Sequence, residues 1–283
     1  MDWYPAAYFR RVGYWARASK VQSHPYLTDV SLMRTWSGEA PAILALHGFT
    51  GGGDDFAPLA EHLSRRIIAP DLPGHQQTGR PVDERPFSVA SWAGSLREAI
   101  TRDSVVLGYS MGARVALQLA ATAPLGALIL ISGTPGIQDA DARALRRAQD
   151  DRLAAHLEEV GLETFLKEWS QKPIIATQGR APTAVQTILK HVRETRDADG
   201  LAKSLRGCGT GSMDPLWSAL ESVRCPTLLI AGEEDTKFTD IAHEMHTRIP
   251  SASLVVFEET GHAPHFEHPA RVAHVIADFL ETL

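Results

Sequence analysis

The sequence predicts an α/β protein whose mostly parallel sheet is covered by helices on both faces. Three observations carry that prediction: short runs rich in Ile, Val and Leu recur, segments with helical spacing separate them, and Gly, Pro or Asp closes each run. The runs lie at 42–46, 67–69, 104–107, 127–131, 227–231 and 253–257. They are continuous rather than alternating, as strands buried on both faces must be. Between them, 114–121 mixes Val115, Leu117, Leu119 and Ala120 at helical spacing. In the last segment Val272, Val275, Ile276, Phe279 and Leu280 step by three, one, three and one, which is a single apolar stripe. Right-handed crossovers between parallel strands leave the functional loops at the carboxyl ends of those strands.

The rhythm breaks once. Residues 136–223 hold no convincing buried strand, only charge-rich helical stretches at 140–159, 162–169, 183–193 and 201–205. The organisation expected is therefore a core of residues 31–135 and 224–283, a helical cap of 136–223 over the strand ends, and an N-terminal extension of 1–30. In the extension Trp3, Tyr4, Tyr8, Phe9, Tyr14 and Trp15 alternate with Arg10, Arg11, Arg17 and Lys20. It has no uninterrupted apolar stretch and so does not read as a secretory signal. It reads as a segment packed on the body or loosely ordered, with a membrane-surface or partner-docking helix as the alternative.

Composition narrows the function. The formal net charge of −6 gives no overall pull toward phosphate backbones, so no nucleic-acid partner is expected. No apolar run approaches the roughly 20 residues of a membrane helix, so no integral membrane segment is expected. Cys208 and Cys225, seventeen positions apart, fit neither a zinc spacing nor a disulfide framework and suit a reducing cytoplasm. Nothing in the sequence sets an oligomeric state.

The chemistry centres on Gly108-Tyr109-Ser110-Met111-Gly112, a G-x-S-x-G between a strand and a helix. Glycines at 108 and 112 permit a tight, strained turn that projects the serine hydroxyl. A serine is a poor nucleophile or base until a histidine takes its proton and a carboxylate orients that histidine. Among the histidines, His262 follows the last strand and is expected to be the base. His262, His265 and His268 are spaced by three, but no Cys or acidic set completes a metal site, so neither metal nor cofactor is expected. Asp235, in Gly232-Glu233-Glu234-Asp235 past a strand end, is the expected acid; Glu233, Glu234 and Asp240 read as solvated. The chain order Ser110, Asp235, His262 is that of an α/β-hydrolase. Oxyanion donors are assigned to the backbone N–H groups of Phe49 and Met111, with His47 pinning the first of these loops.

These residues resemble the α/β-hydrolase superfamily from about Ser31 to the C-terminus. More narrowly, they resemble its menaquinone-pathway lyases, which form 2-succinyl-6-hydroxy-2,4-cyclohexadiene-1-carboxylate by eliminating pyruvate. The narrower echoes are His47-Gly48-Phe49-Thr50-Gly51, Ala113-Arg114 after the elbow, and Gly133-Thr134-Pro135-Gly136-Ile137. Glu168-Trp169, Gly209-Thr210-Gly211, and Thr236-Lys237-Phe238 after Asp235 extend the likeness. The resemblance implies proton abstraction rather than an acyl-enzyme, and a cationic pocket for a small-molecule carboxylate substrate. It places Tyr109, Arg114, Arg146, Trp169 and Arg193 at substrate-binding positions. Spacing supports Arg114, one helical turn after Ser110; by spacing alone Arg146 reads as a solvated helix face and Trp169 as cap core. Gln76 departs from the pattern, because relatives usually carry Gly there. The alternative function is a serine carboxylic-ester, thioester or carbon–carbon bond hydrolase.

Overall fold

A computed structural model describes residues 33–77 and 87–283; the extension expected over 1–30 lies outside them. The strands are β1 (Met33–Trp36), β2 (Glu39–Leu46), β3 (Arg65–Pro70), β4 (Val105–Tyr109), β5 (Ala127–Ile131), β6 (Thr227–Gly232) and β7 (Ala252–Phe257). Among the described residues they form one sheet in the order β1-β3-β2-β4-β5-β6-β7. Only β1 runs antiparallel, along β3 with Met33 opposite Pro70. It is an edge strand that the reading of apolar runs did not anticipate.

The helices are α1 (Ala57–Ala60), α2 (Val89–Leu96), α3 (Met111–Thr122), α4 (Ala140–Trp169), α5 (Pro173–Ala176), α6 (Thr183–Glu194), α7 (Ala198–Cys208), α8 (Thr236–Arg248), α9 (Pro264–Glu267) and α10 (Pro269–Glu281). Strands β4, β5 and β6 are buried at every residue, which explains their unbroken apolar sequence. The two-residue pleat then divides them: Val106, Leu128 and Leu130 face α2 and α3, whereas Val105, Leu107, Ile129 and Ile131 face α1 and α10. In α10, Val272, Ile276 and Leu280 are buried while Val275 and Phe279 pack at the margin, so the apolar stripe read from the sequence faces the sheet.

Between β5 and β6 the chain forms helices and connecting turns and contributes no strand to the sheet. Gly161, at φ 78°, interrupts α4 between the two stretches expected at 140–159 and 162–169. Ala154, Leu157 and Phe165 of α4 meet Leu201, Ala202 and Leu205 of α7 in a separate small core above the strand ends. Phe49 and Trp169 pack against that core, tying the loop after β2 to the helices over it. Two parts of the interruption rejoin the main body: Val185 and Leu189 of α6 share the α10-side layer, and Leu216, Trp217 and Leu220 share the α3-side layer. Gln76 is buried and its side chain packs against Gly200 of α7, so the departure from the family pattern forms part of the contact between this loop and the helices above.

Candidate active site

The turn after β4 explains its two glycines. Ser110 sits at φ 50°, ψ −103°, a strained conformation for a residue with a side chain. An added Cβ would fall 2.5 Å from Ala113 Cα at Gly108, and 2.1 Å from the Leu46 carbonyl oxygen at Gly112. Only glycine lets β4, α3 and the end of β2 approach this closely, and the approach turns the Ser110 hydroxyl outward.

The structure brings the three distant groups together. The Ser110 hydroxyl lies 2.9 Å from His262 Nε2, and His262 Nδ1 lies 2.5 Å from Asp235 Oδ2. Asp235 stands at the N-terminus of α8, yet its carboxylate makes no helix-capping hydrogen bond and turns to the imidazole instead. The Phe238 ring meets His262 edge-on at 4.5 Å and the Tyr109 ring lies 5.6 Å away, so the imidazole is walled by aromatic faces. Each of the three residues lies beyond the carboxyl end of a parallel strand, β4, β6 or β7.

The loop after β2 is equally defined. Gly48 is so close to the serine turn that an added Cβ would lie 2.7 Å from the Tyr109 ring and 3.6 Å from Ser110 Cβ. His47, fully buried, accepts the Leu72 N–H at Nε2 (2.8 Å) and therefore carries its proton on Nδ1, which donates to the Gly48 carbonyl (2.8 Å). Burial drives its pKa down to about 3, so it stays neutral and acts as a brace. Phe49 and Met111, whose N–H groups are the expected oxyanion donors, line one cavity with Ser110.

That cavity, of about 440 Å³, also includes Tyr109, Arg114, Arg146, Trp169, Arg193 and His262, so every residue expected at the site except Asp235 reaches its wall. Arg114 is buried and donates to the Cys208 carbonyl; burial lowers its pKa to about 10, which leaves it charged at neutral pH. Arg146 is not a solvated bystander: its Nε pairs with the buried Asp150 at 2.8 Å. Trp169 both stacks on Phe165 in the upper core and faces the cavity. Arg193 donates to Gln178, whose amide in turn donates to the buried Tyr109 hydroxyl at 3.3 Å.

Of the lining residues that the sequence did not mark, Lys172, Lys237, Gln178 and Asp55 bear most on its chemistry. Lys172 and Lys237 add positive charge; Lys237 lies two residues past Asp235, on a helix whose start was already placed at the site. Gln178 gave no signal, because a lone glutamine on a short turn has no periodicity to mark it. Asp55 is buried, and burial pushes its pKa up to about 7 against the opposing pull of Arg193. The lining thus holds five Lys and Arg side chains against the carboxyls of Asp55 and Asp150. His265 is buried against the Tyr109 ring. Among the described residues no group of three His, Cys, Asp or Glu side chains suits a metal ion.

Comparison with known proteins gives the same fold. The alpha/beta hydrolase family matches residues 43–275. The putative 2-succinyl-6-hydroxy-2,4-cyclohexadiene-1-carboxylate synthase of Bacillus subtilis is 34% identical over 86% of this chain and 91% of its own length. The synthase of that name from Salmonella heidelberg is 31% identical over 85% and 94%. The solved structure of MenH from S. aureus superposes with a TM-score of 0.83 at 30% identity, covering 89% of this chain and 98% of that one. The chain belongs to the alpha/beta hydrolase family.

Proposed function

We propose that the protein is a lyase. It eliminates pyruvate from a polycarboxylate cyclohexene substrate and yields the 2-succinyl-6-hydroxy-2,4-cyclohexadiene-1-carboxylate for which its relatives are named. The observation that carries the proposal is the placement of Arg114, Arg146, Lys172, Arg193 and Lys237 around the mouth of Ser110. A neutral ester has no use for five cations, whereas several carboxylates need them, and guanidinium groups bind carboxylates through paired, charge-assisted hydrogen bonds.

In this reading the Asp235 carboxylate accepts a hydrogen bond from the Nδ1–H of His262, which fixes the tautomer in which Nε2 is free to take the proton of the Ser110 hydroxyl. The Ser110–His262 pair removes a proton from the ring carbon next to an electron-withdrawing carbonyl. The electron pair of that C–H bond becomes a ring double bond, and the carbon–oxygen bond to the leaving group breaks. The departing pyruvate enolate takes up a proton to become pyruvate. Negative charge grows transiently on the conjugated carbonyl oxygen, where the N–H groups of Phe49 and Met111 meet it. Residues 136–223 act as a cap that contributes Arg146, Trp169, Lys172 and Arg193. The buried, unpaired thiols of Cys208 and Cys225 support a cytoplasmic setting.

A serine hydrolase uses the same relay, so a second reading is an esterase that acylates Ser110. Incubation with the polycarboxylate precursor separates the two. Stoichiometric pyruvate without a labelled Ser110 supports the lyase, and a burst of acyl-enzyme from activated esters with no pyruvate supports the hydrolase.

A further inference from the structure

The contact between the helices above the site and the loops that carry the acid and base is made by a residue that the reaction itself does not use. Arg180 ends the short turn Thr177–Arg180 between α5 and α6. Its guanidinium grips Glu234, the neighbour of Asp235, through two hydrogen bonds of 2.8 Å each. It also reaches Glu267 at 3.0 Å. Glu267 is all but inaccessible to solvent, with 1% of its side chain exposed, and its carboxylate accepts the backbone N–H of Gly261 at 3.1 Å. Gly261 is the residue before His262. One side chain therefore touches the flank of the acid directly and the flank of the base through one intermediary.

The rest of the turn seals the same contact. An added Cβ on Gly261 would lie 2.0 Å from Thr177 Oγ1, so the turn rests on the backbone that presents the imidazole. The two loops are themselves joined. Glu234 N–H donates to the Thr260 carbonyl at 3.0 Å, Glu259 N–H donates to the Glu233 carboxylate at 3.1 Å, and an added Cβ on Gly232 would strike Gly261. Glu234 is thus not the free surface carboxylate that its place in the sequence implied.

We propose that Arg180 is a positioning residue, a latch that seats the loops bearing Asp235 and His262 against the helices above them; the proposal rests on the reading that Ser110, His262 and Asp235 act together. The mechanism is geometric. The cationic wall for the substrate is contributed largely by the helices between β5 and β6, and the proton relay is contributed by the loops after β4, β6 and β7. Arg180 fixes one set relative to the other. Errors of about 1 Å between a bound substrate and its catalytic group cost on the order of 100-fold in rate. An isolated ion pair on an exposed surface would leave the rate unchanged.

The test measures kcat and KM for pyruvate release by Arg180→Ala, Arg180→Lys, Glu234→Gln and Ser110→Ala. The surface variant Lys203→Ala, which breaks an exposed pair with Asp199, serves as control. The expected result is a kcat roughly 10- to 100-fold lower in Arg180→Ala, with KM moved less than kcat. Partial recovery in Arg180→Lys, a fall in the same direction for Glu234→Gln, and no change in Lys203→Ala complete the expectation. Labelling of Ser110 by a fluorophosphonate, which needs the relay and none of the cations, is expected to slow in proportion to kcat. Should Arg180→Ala not fold, Arg180→Lys and Glu234→Gln carry the same criterion. A kcat within twofold of wild type in the arginine variants, with Ser110→Ala inactive, overturns the latch and leaves the relay standing. Full activity in Ser110→Ala overturns both.

Discussion

Replacing Gly112 by alanine tests the geometry of the serine turn through a change of sign. Within a helix, glycine to alanine ordinarily stabilises by about 0.5–1 kcal/mol, because the unfolded chain loses freedom. Gly94, inside α2, is such a position: an added methyl meets nothing within 4 Å. At Gly112, in the first turn of α3, the methyl would fall 2.1 Å from the Leu46 oxygen, 2.4 Å from the Leu46 carbonyl carbon and 2.7 Å from the His47 oxygen. Carbon–oxygen contacts settle near 3.3–3.6 Å, so α3 and the end of β2 must separate by more than about 1 Å. Both partners are backbone and cannot rotate away. Overpacking of this kind costs about 1–3 kcal/mol; a clash between two backbones lies at the upper end of that range, so after the helix gain of about 0.5–1 kcal/mol the net expectation is a loss of about 2–2.5 kcal/mol. For a chain of this size that lowers Tm by roughly 5–10 °C. The same displacement moves the segment before Phe49, so kcat is expected to fall about 100-fold. Thermal melts and pyruvate release of Gly112→Ala beside Gly94→Ala provide the assay. If both variants were stabilised and fully active, the close approach of these backbones would be refuted.

Other outcomes follow from the buried groups. His47 and His265 have pKa values near 3 when folded and His75 lies well below its usual value, all through burial. Each takes up its proton only on unfolding, so stability falls as pH drops from about 6.5 toward 3, by about 1.4 kcal/mol per pH unit per histidine. Asp55, at about 7 when folded, opposes them between about 4 and 7, where the fold holds its proton and the unfolded chain does not. Three against one leaves a lower Tm at pH 5 than at pH 7, and a flat or rising Tm on acidification would contradict the burial of these imidazoles. Asp71→Asn takes away the carboxylate charge opposite the buried Arg196, from which it lies 3.1 Å, with each side chain at most 2% exposed. Urea unfolding is expected to show a loss of about 3–5 kcal/mol, and a loss below 1 kcal/mol would refute a structural role. Arg193→Ala is expected to lower kcat/KM for the polycarboxylate roughly 10- to 100-fold, the value of a charge-assisted hydrogen bond, while sparing any neutral ester. Equal losses on both substrates would argue against carboxylate recognition.

The chain announced its sheet because β4, β5 and β6 are buried on both faces and could be built only from unbroken apolar runs. The contact of Ser110, His262 and Asp235 was legible because the turn at Ser110 admits only glycine at 108 and 112, and because Asp235 and His262 each follow a strand. Edge strand β1, Met33–Trp36, is half-buried throughout and has neither an apolar run nor strict alternation, so nothing marked it. The Arg180–Glu234–Glu267 contact was equally silent. Its members lie 54 and 33 residues apart in sequence, and charge spacing is informative only within one helix or one strand pair. Arg146 shows the intermediate case, where spacing alone favoured a solvated face and the pairing with Asp150 at i+4 became decisive only once the helix was seated over the cavity. Lys237 could have been found, because a cation in the first turn of the helix that begins at Asp235 has little choice but to face the same opening.

The proposed elimination requires His262 to act as the base that Asp235 orients and Ser110 relays, and one comparison addresses that most directly. Pyruvate release from the polycarboxylate precursor is followed in the wild-type protein and in His262→Ala, with the fold of the variant verified by its melting profile. The expected result is steady release by the wild type and a rate lower by about 10³-fold or more in the variant, as for groups that act as a unit. A well-folded His262→Ala that releases pyruvate at the wild-type rate would contradict it.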